Sequence, residues 1–89
     1  MKSGIYKIVN PKGEVYIGKT KDFEKRVNFY KRYKTVRLQP KLFNSFDIYG
    51  FENHTIEIIE KDVSKEKEII SKYNSYYKGL NSNSGGVGS

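Results

Sequence analysis

The segment Asn10-Pro11-Lys12-Gly13 restricts the folding of this chain more than any other stretch. It separates two runs rich in β-branched and aromatic residues, the first over 3–9. Pro11 fits the first central position of a type I turn, and Gly13 fits the left-handed position that follows. Together they predict a three-residue hairpin loop with a bulge, and that loop sets the register. Asn10 then faces Glu14, Val9 faces Val15, Ile8 faces Tyr16 and Tyr6 faces Gly18. Facing residues share a side of a sheet, and so do alternate residues. Gly4, Tyr6, Ile8, Tyr16 and Gly18 therefore belong to one face. Tyr6 and Tyr16 become diagonal neighbours, about 7–8 Å apart at the backbone. Gly18 leaves a gap opposite Tyr6. A two-residue turn would send the two tyrosines to opposite faces.

The chain has 89 residues, enough for one domain. Eight Tyr and five Phe, with no Trp, must supply much of its core. Cysteine is absent, which excludes disulfides, thiol nucleophiles and cysteine zinc sites and fits a reducing compartment. No run approaches the ~20 apolar residues of a membrane span, and no signal peptide opens the chain. A cytoplasmic protein with no membrane partner is the expectation. Seventeen Lys and Arg against ten Asp and Glu give a net charge of +7. That balance favours a polyanionic partner, nucleic acid ahead of an anionic membrane. A merely solvated, lysine-rich surface is the alternative.

Downstream, Asp22 is an N-cap candidate for a helix running to about Tyr33. Phe23, Val27, Tyr30 and Lys34 follow its apolar spacing, with Arg26 on the flank. A basic link over 34–37 follows. Pro40 suits the first turn of a second helix and Gly50 its end, with Leu42, Phe46 and Tyr49 facing inward. Residues 51–60 read as a third strand, with Ile56 and Ile58 on one side. A last helix begins at 62–64 and reaches about Tyr73. Its inner stripe is Glu66, Ile69, Ile70, Tyr73 and Tyr77. Residues 82–89 form a Gly/Ser/Asn-rich tail or linker after a domain over 1–81.

Glu66 is the sharpest chemical candidate. It precedes Ile69 and Ile70 by three and four residues, so it shares their helical face. A carboxylate on an apolar face needs a partner, and a divalent cation is one. The other reading is a first-turn acid favoured by the helix dipole. Tyr6 and Tyr16 are ordinary sheet aromatics in one reading and a pair of site phenols in the other. Two phenols, the Arg26 guanidinium and one carboxylate match the needs of phosphodiester cleavage. They can handle a proton, neutralise developing charge and hold a metal. One carboxylate suits magnesium, which keeps several waters. His54, the sole histidine, has no second metal-ligating partner and reads as a surface or strand-edge residue. Lysines 19, 21, 25, 31, 34 and 41 are candidates for backbone phosphate contacts, which carry no direct sequence information. No base-reading motif is evident.

The chain resembles the GIY-YIG nuclease family, above all the catalytic domains of phage homing endonucleases. The resemblance runs through Gly4-Ile5-Tyr6, Tyr16-Ile17-Gly18 and residues 21–26. It continues through 46–50, 66–70 and Gly79-Leu80-Asn81. It implies an α+β fold: a small three-stranded antiparallel sheet flanked by helices. It also implies a metal-dependent DNA endonuclease using one divalent ion, magnesium or manganese, in a bacterial or phage-infected cell. By position, Tyr6 and Tyr16 match the motif tyrosines and Arg26 the arginine that stabilises the transition state. Glu66 matches the metal-binding glutamate and Asn81 the asparagine that closes the pattern. A shortened loop over 61–65 is needed for that glutamate assignment; without it Tyr73 falls at the position. Lys19 follows the second motif, at a position where relatives vary. Tyr30 stands where some homing relatives carry a histidine used in acid–base work. A monomer is expected, with a separate or C-terminally fused DNA-binding domain supplying target choice. The rival reading is a catalytically inactive domain of this fold that binds DNA as a regulatory module; a basic RNA- or membrane-binding domain rests on charge alone.

Overall fold

The hairpin forms in the expected register. In the computed structural model, which describes residues 2–32, 40–73 and 79–80, strand β1 (Gly4–Val9) pairs antiparallel with β2 (Val15–Thr20). Val9 faces Val15, Ile8 faces Tyr16 and Tyr6 faces Gly18. Gly13 takes φ +86°, a conformation open to glycine and strained for residues with a Cβ. Its N–H donates to the Asn10 carbonyl at 2.9 Å, and the Asn10 N–H donates to the Glu14 carbonyl at 3.1 Å. The Asn10 side chain reinforces this turn. Its Oδ1 accepts from the N–H groups of Lys12 and Glu14, at 3.0 and 2.9 Å.

Helices α1 (Phe23–Lys31) and α2 (Pro40–Tyr49), strand β3 (Thr55–Glu60) and helix α3 (Glu66–Tyr73) complete the described elements. The sheet order is β2-β1-β3, antiparallel throughout, so the first strand lies in the middle. The α+β arrangement of a small antiparallel sheet flanked by helices is the one the sequence implied.

Each face of the sheet carries its own apolar cluster. On one, Tyr6, Ile8 and Tyr16 meet Tyr30 of α1, Leu42 and Phe46 of α2, and Leu80. Ile56 and Ile58 of β3 pack against the same cluster, as their alternation predicts. On the other, Ile5 and Ile17 meet Ile70 of α3, with Ile69 and Ile59 around them. Ile5, Ile8 and Ile17 are at most 1% exposed. Full burial of such side chains contributes roughly 1.5–3 kcal/mol each. That double covering explains why β1 is mostly apolar rather than strictly alternating.

Asp22 caps α1 as expected: it is extended, and its Oδ1 accepts from the Lys25 N–H at 3.2 Å. Two element boundaries differ from the sequence reading. The third strand starts at Thr55, because residues Phe51–Asn53 form a 3₁₀ turn. Phe51 is drawn onto Phe46, with ring centroids 5.5 Å apart, and the Asn53 side chain donates back to the Tyr49 carbonyl. The last helix is preceded by a 3₁₀ turn, Val63–Lys65, capped by Asp62, so the α-helix begins at Glu66. Tyr73, expected inside, is 37% exposed. The first helix ends at Lys31 with Arg32 as its C-cap, close to the expected Tyr33, whereas Lys34, the basic link, Tyr77, Asn81 and the tail lie outside the described residues.

His54, read as a surface or strand-edge residue, does stand directly before β3, but its exposure is overturned. His54 is buried and stacks edge-on against Phe46. Its Nδ1–H donates to the Gly50 carbonyl at 2.8 Å, leaving Nε2 to accept from the Ser45 hydroxyl at 2.7 Å. Ser45 Oγ in turn accepts from Asn10 Nδ2 at 2.9 Å. A chain of hydrogen bonds thus links the hairpin turn to α2 and to the start of β3. No local pattern points to it, because the partners are 35 and 9 residues apart.

Burial lowers the His54 pKa below its ordinary 6.5. With the folded value below the unfolded one, the stabilisation is complete above about pH 6.5 and is lost as pH falls through the folded value. Urea unfolding followed by circular dichroism should show the midpoint falling between about pH 7 and about pH 5. Ser45→Ala strands two buried polar groups and should cost about 1–3 kcal/mol at neutral pH. Unchanged midpoints in both experiments would remove this network from the fold's stability.

Candidate active site

Three phenols converge beneath α1. The hairpin register places Tyr6 and Tyr16 on one face, with ring centroids 6.2 Å apart. Tyr30, two turns along α1 from Phe23, brings a third ring to 6.0 Å from Tyr6 and 6.4 Å from Tyr16. The hydroxyls of Tyr6 and Tyr30 share a hydrogen bond of 2.5 Å. All three rings are at most 5% exposed. The gap at Gly18 is used by Tyr6. A Cβ on Gly18 would lie 2.5 Å from Tyr6 Cζ and its hydroxyl, and 2.9 Å from the Tyr16 ring. No side chain fits there without moving the phenol.

Burial pushes all three phenols well above their ordinary value of 10, and their mutual proximity adds to it. The Arg26 guanidinium pulls each one back, though by less. At neutral pH the phenols are therefore protonated. They are hydrogen-bonding groups that can relay a proton, and none is a resting phenolate. Arg26 stands one turn before Tyr30 on α1, over the Phe29 ring at 5.6 Å.

Glu66 comes from the other side of the sheet. It opens α3 and lies one turn before Ile70, which packs on Ile5 and Ile17. It is 3% exposed. Lys19 follows Ile17 by two residues, so it shares that face of β2. Its Nζ lies 3.7 Å from Glu66 Oε1, too long for a hydrogen bond. Oε1 is buried with no hydrogen-bond partner. The Glu66 charge reaches the Tyr16 phenol and helps to raise it. The edge strand β2 is thus the seam between the phenol–guanidinium cluster and the carboxylate. Among the described residues, no three His, Cys, Asp or Glu side chains gather as a ready-made metal cage. An orphaned buried carboxylate oxygen suits a single-carboxylate cation site, where water and substrate oxygens complete the shell.

The sequence selected Tyr6, Tyr16, Arg26, Glu66, Lys19 and Tyr30, and the structure sets the phenols on one face of the edge strand β2 and Lys19 with Glu66 on the other. Asn81 lies outside the described residues. Two relations went unread. The Lys19–Glu66 pair was available from periodicity, since Lys19 alternates with Ile17 and Glu66 shares a helical face with Ile70. The Tyr6–Tyr30 bond was not, because it depends on how α1 crosses the sheet.

A three-stranded antiparallel sheet carrying these two tripeptides defines the class: the chain belongs to the GIY-YIG nuclease family, whose catalytic-domain signature matches residues 2–81. It is a GIY-YIG endonuclease domain. It is 42% identical, over 92 aligned positions, to intron-associated endonuclease 1 of Enterobacteria phage T4. The alignment takes in 85% of this chain and 36% of that relative, so the chain spans little more than a third of its length. Among solved structures, the catalytic domain of the homing endonuclease I-TevI matches with a TM-score of 0.72 at 32% identity. That match covers 90% of this chain and 97% of the other.

Near-ultraviolet titration of the native protein should show that some of its eight tyrosines resist ionisation well above pH ~10. Raised folded values mean that the phenols' stabilisation is complete below about pH 10 and lost as pH rises through them. Resistant tyrosines should become accessible when urea unfolds the chain. Gly18→Ala should destabilise by roughly 1–3 kcal/mol through overpacking against Tyr6. Titration of every tyrosine near its ordinary value, in a folded sample, would contradict the buried cluster.

Proposed function

We propose that this domain hydrolyses DNA phosphodiester bonds with one divalent cation, magnesium or manganese, as a homing-type endonuclease module. The observation that carries the reading is Glu66: a buried carboxylate oxygen without a hydrogen-bond partner, beside a cluster of protonated phenols under an arginine. Such a carboxylate is costly unless a cation meets it, and Lys19 at 3.7 Å supplies charge without a hydrogen bond. When bound, the ion supplies positive charge to the phosphate and to the departing oxygen.

In this reading water attacks phosphorus, a new P–O bond forms, and the bond to the leaving sugar oxygen breaks. One proton leaves the attacking water and one reaches the departing oxygen. Tyr6 or Tyr16 positions the water. The Tyr6–Tyr30 pair offers a relay in which one oxygen takes the water's proton while passing its own onward. That relay suits phenols whose burial disfavours a standing phenolate. It also gives Tyr30 a use at about the position where the resemblance implies a histidine in some homing relatives. Arg26 neutralises charge on the pentavalent phosphorus, and Lys19 pairs with Glu66 before substrate arrives.

Target choice is assigned to a DNA-binding domain, separate or fused, because phosphate contacts alone read no sequence. A cytoplasmic site of action in a bacterial or phage-infected cell draws support from the phage source of the relative. No helix among the described residues is long and apolar enough to cross a membrane.

Supercoiled plasmid incubated with magnesium should be nicked or linearised, and EDTA should abolish the effect. Glu66→Gln should lose cleavage while still binding DNA and folding. Arg26→Ala should slow cleavage about 10²–10³-fold. Undiminished cleavage by Glu66→Gln would remove that residue from the reaction. Binding without cleavage at any metal concentration would identify an inactive DNA-binding module instead.

A further inference from the structure

We propose that the groove beside the site is a nucleotide subsite, in which Phe29 stacks on an unpaired base of the DNA strand being cut. The proposal rests on the nuclease reading above and adds what the strand does next to the scissile phosphate. The groove lies between the end of β2, one side of α1 from Lys25 to Phe29, and the turn at Val63. Lys19 and Arg26 belong both to it and to the candidate site. Lys21, Lys25 and Lys61 extend the positive lining away from them. The single carboxylate among the lining residues, Asp22, is engaged in capping α1. A polyanionic chain held at Arg26 therefore meets favourable potential along this direction.

Charge alone would fit any polyanion. The apolar residues in the groove narrow the choice. Phe29 is 42% exposed and Val63 is 45% exposed, and both line it. A surface that only tracked a duplex backbone has no use for an exposed aromatic ring among its lysines. Positive grooves with aromatic platforms are the arrangement that binds single strands, since every base has a face to stack. Within a duplex those faces are already covered by neighbouring bases.

Phe29 is also held in place. It packs edge-on against Tyr30 at 5.7 Å, and Arg26 lies over its ring at 5.6 Å. A base seated on Phe29 would thus be positioned by the same two side chains that border the reacting phosphate. Tyr30 is buried, while Phe29, one position before it on α1, packs on Tyr30 and still leaves 42% of its surface exposed.

The test compares two oligonucleotides of equal length, about ten thymidines and about ten abasic units, in EDTA so that nothing is cleaved. Anisotropy should show Phe29→Ala weakening thymidine binding roughly 5- to 100-fold, with little effect on the abasic strand. The salt dependence should stay unchanged, whereas Lys21→Gln with Lys25→Gln should weaken both strands and flatten it. The chain has no tryptophan, so Phe29→Trp places a single reporter in the groove. Its emission should be quenched by the thymidine strand and not by the abasic one. Equal loss on both strands, no loss on either, or an unquenched tryptophan would overturn the subsite. Because binding is read without metal, the outcomes separate: stacking without plasmid cleavage sinks the nuclease reading, and cleavage without stacking sinks the subsite.

Discussion

One side-chain amide governs the geometry on which the rest depends. Asn10 is 4% exposed, and its Oδ1 accepts from two turn N–H groups, closing the loop around Pro11. Its Nδ2 donates to Ser45 of α2 and to the Glu14 carboxylate. The amide therefore does two things at once. It holds a three-residue loop that sends Tyr6 and Tyr16 to one face, and it ties that loop to the helix covering them. A slip of one residue in this register would exchange the two faces of β2 and move Tyr16 and Lys19 to the wrong sides.

The site inherits its character from that register. Tyr6 fills the space that Gly18 leaves, so a glycine with ordinary strand geometry is required by contact rather than by backbone freedom. Tyr16 stands on the edge strand, where it feels Arg26 from one face and Glu66 from the other. Burial keeps the phenols protonated and leaves a carboxylate oxygen unsatisfied. The unsatisfied oxygen opposes stability in isolation, and in the proposed reaction both conditions have a use. Strain of this kind is expected where a fold serves chemistry. The outer groove adds a lysine-lined surface on which Phe29, packed against Tyr30 on one side, stays 42% exposed.

Much of this was legible in the chain. The hairpin was readable because Pro and Gly act locally, within four residues. Ile56 and Ile58 on one face, and Leu42 and Phe46 inside, followed from periodicity alone. Glu66 was placed on the inner helical face by its spacing to Ile69 and Ile70, and its 3% exposure agrees. His54 was misread for the opposite reason. Nothing near it in sequence supplies a partner, and its burial depends on Ser45 and Phe46 arriving from α2. The third strand was begun too early because Phe51 looks like a strand residue, yet the core captures its ring.

By itself the sequence determined the turn, the register and the side of each element that faces inward. Those properties follow from backbone sterics and from the periods of strand and helix, which are local. Tertiary structure alone decided that Tyr30 would bond Tyr6, that Lys19 would stand near Glu66 without satisfying it, and that Asn10, Ser45 and His54 would share one buried chain of hydrogen bonds. These depend on distances between elements far apart in the chain. Those distances are set only when both faces of the sheet are covered at once.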